Sequence, residues 1–66
     1  MQSRLLYLRK SKGLRQKDVA EHLKVTQQTY ARYEIGKSEP TIETLIRLAR
    51  FYDTSVDFII GFKNVE

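Results

Sequence analysis

Thr26-Gln27-Gln28-Thr29 sets a helix-capping hydroxyl directly before two adjacent amides. A carboxamide carries a donor and an acceptor side by side, so it can bond two points on an adenine edge in the DNA major groove. A helix whose first turn holds Gln27 and Gln28, in a small basic chain, is a candidate base reader. Without its surroundings the same pair is an ordinary solvated stretch of helix. Other chemistries find little support. The chain has no cysteine, which removes disulfides and thiolate metal sites. His22 is the single histidine, with no nucleophile or carboxylate constellation beside it, and reads as an exposed helix residue. Asp18 and Glu21, three apart on a helix, read as surface charges rather than a metal site or an acid–base pair. No catalytic group, metal or cofactor is implied.

The elements that must hold the two amides are helical. Apolar residues recur at steps of three and four, and no stretch alternates cleanly. The pattern predicts an all-α fold of five helices. The first covers about residues 2–11, with Leu5 and Leu8 as its buried stripe and Gly13 ending it. The second covers about 16–23 and buries Val19, Ala20 and Leu23. The third starts after Thr26, whose hydroxyl caps free backbone N–H groups, and turns Tyr30 and Tyr33 toward the core or its edge. The chain breaks at Gly36 and loops through Pro40. Thr41 caps a fourth helix with the apolar stripe Ile42, Leu45, Leu48, Ala49 and Tyr52. Ser55 caps a short fifth helix holding Val56, Ile59 and Ile60, ended by Gly61. Residues 1–66 read as one domain, with a core over 4–61 and a short tail over 62–66.

A chain of 66 residues suffices for one small domain, which buries only about 60% of the surface its unfolded state exposes. With 41% apolar and 30% charged residues it is neither a disordered tail nor a membrane protein. Leu5-Leu6-Tyr7-Leu8 is too short for a signal peptide, and the expectation is a soluble cytoplasmic domain. The net charge of +4 is unevenly spread. Arg4, Arg9, Lys10, Lys12, Arg15 and Lys17 crowd the first 17 residues with no acid among them. This asymmetry suits an anionic partner, while a solvated basic helix is the plainer alternative. Binding to a membrane surface is disfavoured, because the apolar side of the first helix is needed for the core. Lys10 and Lys12 read as long-range electrostatic contributors.

Two short helices joined by Lys24-Val25-Thr26, the second presenting polar groups, form a helix-turn-helix. Ala20 supplies the small residue where the helices cross, and Val25 plugs the core between them. The run Gly13-Leu14-Arg15-Gln16-Lys17-Asp18-Val19-Ala20 resembles the opening of the Cro/repressor-type helix-turn-helix domain, the XRE family. So do Val25-Thr26-Gln27-Gln28-Thr29-Tyr30, Tyr33-Glu34 with Gly36-Lys37, Pro40-Thr41-Ile42-Glu43-Thr44-Leu45, and Ser55-Val56-Asp57. The resemblance runs over about residues 4–61.

The resemblance implies that the third helix lies in the major groove of double-stranded DNA. Gln27 and Gln28 would then reach base edges, and Arg32, one turn on, a base or a phosphate. Gln16 would bond a phosphate at the start of the second helix, where backbone N–H groups also favour an anion. Thr26 and Thr29 would touch a phosphate or a thymine methyl, and Gly36 and Lys37 the DNA backbone on the far side. Arg9 and Glu34 match an internal ion pair tying the first helix to the end of the third. Three positions depart from the family pattern. Lys24 stands where a turn glycine is usual, Arg15 replaces a capping Ser or Thr and adds a phosphate-seeking charge, and Ile35 fills a usually polar place. A left-handed lysine costs roughly 1 kcal/mol.

Phe58 and Phe62 flank the fifth helix, and a domain this small has little room to bury both. The expectation is a two-fold homodimer through this end. The reading as a whole is a sequence-specific DNA-binding transcriptional repressor on a palindromic operator. The alternative is a DNA-binding antitoxin whose main partner is a protein.

Overall fold

Hydroxyl side chains set three of the helix starts. The computed structural model describes residues 4–61, in which five helices run α1 (Leu5–Ser11), α2 (Gln16–Leu23), α3 (Gln27–Ile35), α4 (Ile42–Phe51) and α5 (Val56–Ile60). Thr26 Oγ1 accepts from Thr29 N at 3.1 Å, Thr41 Oγ1 from Thr44 N at 3.2 Å, and Ser55 Oγ from Phe58 N at 3.1 Å. Each bond satisfies a backbone N–H that the first turn leaves without a partner. Phe62, expected at a dimer contact, lies outside the described residues. No helix of the described residues is long and apolar enough to cross a membrane.

Four of the helices stop in one way. A left-handed residue follows the last turn, and the N–H after it reaches back to a carbonyl five residues earlier. Leu14 N bonds Arg9 O at 3.1 Å, Val25 N bonds Ala20 O at 3.0 Å, Lys37 N bonds Arg32 O at 3.0 Å, and Thr54 N bonds Ala49 O at 2.8 Å. The left-handed residues are Gly13, Lys24, Gly36 and Asp53. Gly36, at φ 80°, sits in a region where an L side chain would crowd the backbone. Lys24, at φ 62°, occupies that region with its side chain exposed, as its place in the turn predicts. The payoff at Lys24 is positional: the next residue, Val25, packs against the core between α2 and α3.

The core holds Leu5 and Leu8 from α1, Val19, Ala20 and Leu23 from α2, and Tyr30 from α3. Leu45, Leu48, Ala49, Tyr52 and Ile59 complete it. Buried hydroxyls of Tyr30 and Tyr52 meet at 2.7 Å, giving each polar oxygen a partner at the seam of α3 and α4. Two expectations are corrected. Among the described residues α1 begins at Leu5, with Arg4 before it rather than inside it and Arg4 N–H bonded to Ile59 O at 2.9 Å, joining the entry of α1 to α5; residues 2 and 3 of the expected helix lie outside the described residues. Ile42 is not part of the apolar stripe. It occupies the first turn of α4 and is 67% exposed, because the core begins one turn later, at Leu45.

Candidate nucleic-acid interface

Helix α3 divides into two faces. Tyr30 is fully buried and Tyr33 half-buried, their rings meeting edge to face with centroids 6.4 Å apart. On the other side Gln27, Gln28 and Arg32 are exposed, and their side chains bond to no described residue. Gln28 and Arg32, four apart, share a stripe. Donors and acceptors that the fold leaves unused are what base-edge recognition requires.

The start of α3 is capped by its own hydroxyls. Thr26 Oγ1 accepts from Thr29 N and donates to Thr29 Oγ1 at 2.8 Å, so both hydroxyls belong to the cap. The Thr29 O–H keeps its own proton to give. At the far end, Gly36 N–H and Lys37 N–H are spent on Tyr33 O and Arg32 O. What this corner can offer an anion is therefore the exposed ammonium of Lys37.

The start of α2 lacks a capping hydroxyl, as Arg15 foretells, but the helix is not left uncapped. Asp18, in the third position, accepts from Arg15 N at 3.0 Å and pairs with the Arg15 guanidinium at 3.2 Å. That is one half of a capping box, contributed by the acid. Asp18 is thus more than the plain surface charge its spacing suggests. The Arg15 guanidinium and backbone N–H hold its carboxyl below the usual range. The Arg15 side chain stays 76% exposed, with its charge presented at the mouth of α2.

Behind these groups lies a buried carboxylate. Arg9 grips Glu34 with Nε to Oε2 at 2.6 Å and Nη2 to Oε1 at 3.2 Å, and its Nη1 bonds Leu14 O at 3.0 Å. The expected ion pair is therefore present, with the two side chains only 14% and 3% exposed. Gln16 Nε2 donates to Glu34 Oε1 at 3.0 Å, a third arm that sequence spacing did not foretell. Gln16 is half-buried, and one of its two amide N–H groups is committed here. Burial pushes the Glu34 carboxyl up, but hydrogen bonds led by those from Arg9 and Gln16 outweigh it and leave it below its usual range. The same pairing with Glu34 raises Arg9. One carboxylate so fixes α1, the mouth of α2 and the end of α3 together.

Beside the first turn of α1, Phe58 is half-buried against the core, with the Arg4 guanidinium 4.6 Å above its ring and Tyr7 at 6.4 Å. Tyr7 is itself 64% exposed. Ile35, the unusual residue at the end of α3, is 60% exposed.

Two short helices with a small residue at their crossing, a plugged turn and a polar outward face define a helix-turn-helix domain. The family described as Helix-turn-helix matches residues 5–59, and the chain belongs to it, in its Cro/repressor (XRE) branch. It is 44% identical over 57 residues to an uncharacterised HTH-type transcriptional regulator of Bacillus subtilis, YonR, from the SPbeta prophage, covering 86% of this chain and 53% of that protein. It is 37% identical over 59 residues to the cryptic phage CTXphi transcriptional repressor RstR of Vibrio cholerae, covering 89% of this chain and 53% of that one. A crystal structure of a transcriptional regulator from Listeria innocua superposes with a TM-score of 0.83 at 34% identity, over 100% of this chain and 65% of that chain. The chain spans about half the length of these curated relatives. The family is one of regulators and not of enzymes.

Proposed function

We propose that the chain is the DNA-reading unit of a transcriptional repressor, acting as a two-fold homodimer on a palindromic operator. The observation that carries this reading is the outward face of α3. Gln27, Gln28 and Arg32 stand exposed, with side chains bonded to no described residue, on a helix whose other face is packed into the core. In this reading they contact base edges, with Gln27 and Gln28 bidentate to adenine and Arg32 to guanine or a phosphate. Arg15, Gln16, Thr26, Thr29 and Lys37 hold phosphates around them, while Gly36 lets the DNA backbone come close. The name of the phage repressor relative supports repression over activation. Occupying an operator is the simplest way such a reader regulates.

The dimer in this reading forms around Phe58 and Phe62, beside the exposed ring of Tyr7. It sets two copies of α3 about 34 Å apart, one turn of DNA. Selection of bound duplexes from a random pool tests the whole reading. Enrichment of an inverted repeat with half-sites one turn apart is the expected result. A single unrepeated site would remove the dimer, and no enrichment would remove sequence-specific binding.

A further inference from the structure

We infer that the groove between the last turn of α2 and the second half of α4 docks an acidic segment of a protein partner, one that carries an apolar side chain among its carboxylates. The groove is lined by His22, Arg47, Arg50 and Phe51 and has a volume of about 310 Å³. Its floor is aromatic: the His22 and Phe51 rings stack with centroids 4.4 Å apart at 31°. Its rim is cationic. Arg47 reaches across from α4 to His22 O, at the last turn of α2, at 3.4 Å. The Arg50 side chain bonds to no described residue, and no described carboxylate lies within ion-pair distance of either guanidinium, although Glu43 precedes Arg47 by one turn.

The chemistry of the occupant follows. The groove is open, so it cannot enclose most of a small molecule as ligand clefts do. An extended peptide covers an open groove well. One apolar side chain fills the aromatic floor, and flanking carboxylates take bidentate hydrogen bonds from the two guanidinium forks. A sugar–phosphate strand would satisfy the forks but leave the floor uncovered. His22 also stands six residues beyond Gln16, about 9 Å along the axis of α2 from the mouth assigned to DNA.

The test titrates the full chain with a short peptide of Asp and Glu around one Phe, following backbone amide shifts by NMR. Saturable shifts at His22, Arg47 and Phe51 are expected. Binding should weaken about tenfold when Ser replaces the peptide Phe, and as much in Arg47→Ala/Arg50→Ala. Arg50→Glu, a change at an exposed and unpaired position, guards against a folding artefact and should shift the preference to a Lys-for-acid peptide. Shifts spread over α1 and α3 instead, or unchanged affinity in the double variant, would overturn the proposal. So would the same amides shifting as strongly with random duplex DNA, which would make the groove part of the nucleic-acid surface.

Discussion

Gln16 Nε2 lies 3.0 Å from Glu34 Oε1, so a side chain expected at the DNA backbone is anchored to the carboxylate that Arg9 holds. Positioning and stability are thereby joined at one residue. Glu34→Ala strands a buried guanidinium and should cost about 3–5 kcal/mol. A domain of this length has only about 3–10 kcal/mol in total, so the variant should be largely unfolded at ambient temperature. Gln16→Ala removes a single arm and should cost about 1–2 kcal/mol. Urea denaturation followed by circular dichroism separates the two. Equal losses would mean that the Arg9 pair adds nothing beyond the Gln16 arm.

The same carboxylate sets an acid limit. Glu34 has a folded pKa below its ordinary 4.5, since bonds led by those from Arg9 and Gln16 prevail over burial. A lowered folded pKa means stability that is complete above the unfolded value and lost as pH falls through the folded one. Asp18 acts in the same sense below its ordinary 3.8, through Arg15. The urea midpoint should stay level from neutral pH to about 5 and fall below that. In Glu34→Gln the fall should be shallower. An identical acid slope in that variant would place the acid sensitivity elsewhere.

Base and backbone contacts should separate by their DNA dependence. Gln28→Ala should lose about 1–3 kcal/mol for the selected site and discriminate less among sites. Lys37→Ala should weaken all duplexes alike and flatten the salt dependence by about one unit of slope. Fluorescence anisotropy against selected and random duplexes reads both. Equal loss on both duplexes for Gln28→Ala would move that amide from the bases to the phosphates.

The left-handed lysine offers a gain. Lys24→Gly relieves crowding between side chain and backbone and should stabilise the fold by about 0.5–1 kcal/mol. Asp53→Gly, at φ 57°, should act in the same direction. A lower thermal midpoint for Lys24→Gly would show that the lysine contributes something the turn geometry does not.

The sequence was most readable where one residue type does one local job. Thr26, Thr41 and Ser55 cap the helices they precede, and Gly13 and Gly36 mark stops, because caps and left-handed turns depend on near neighbours. The stop at Asp53 was hidden, since aspartate is at home in many other conformations. Ile42 fitted the helical period yet faces outward, as periodicity gives a direction around the axis and not how far the core extends along it. Groups brought together by packing were the least readable. Gln16 and Glu34 are 18 apart in sequence, and Arg47 and His22 are 25 apart, so no local pattern foretells either meeting.

Because the side chains of Gln27, Gln28 and Arg32 bond to no described residue, the outward face of α3 is independent of the scaffold that displays it. The cap at Thr26, the tyrosine side and the Glu34 clamp would all survive their replacement. If these three side chains read the bases as proposed, such a domain is re-addressed to a new DNA site by changing three exposed positions, with no second substitution required to restore folding. Selection can thus diversify its targets without first passing through unstable intermediates.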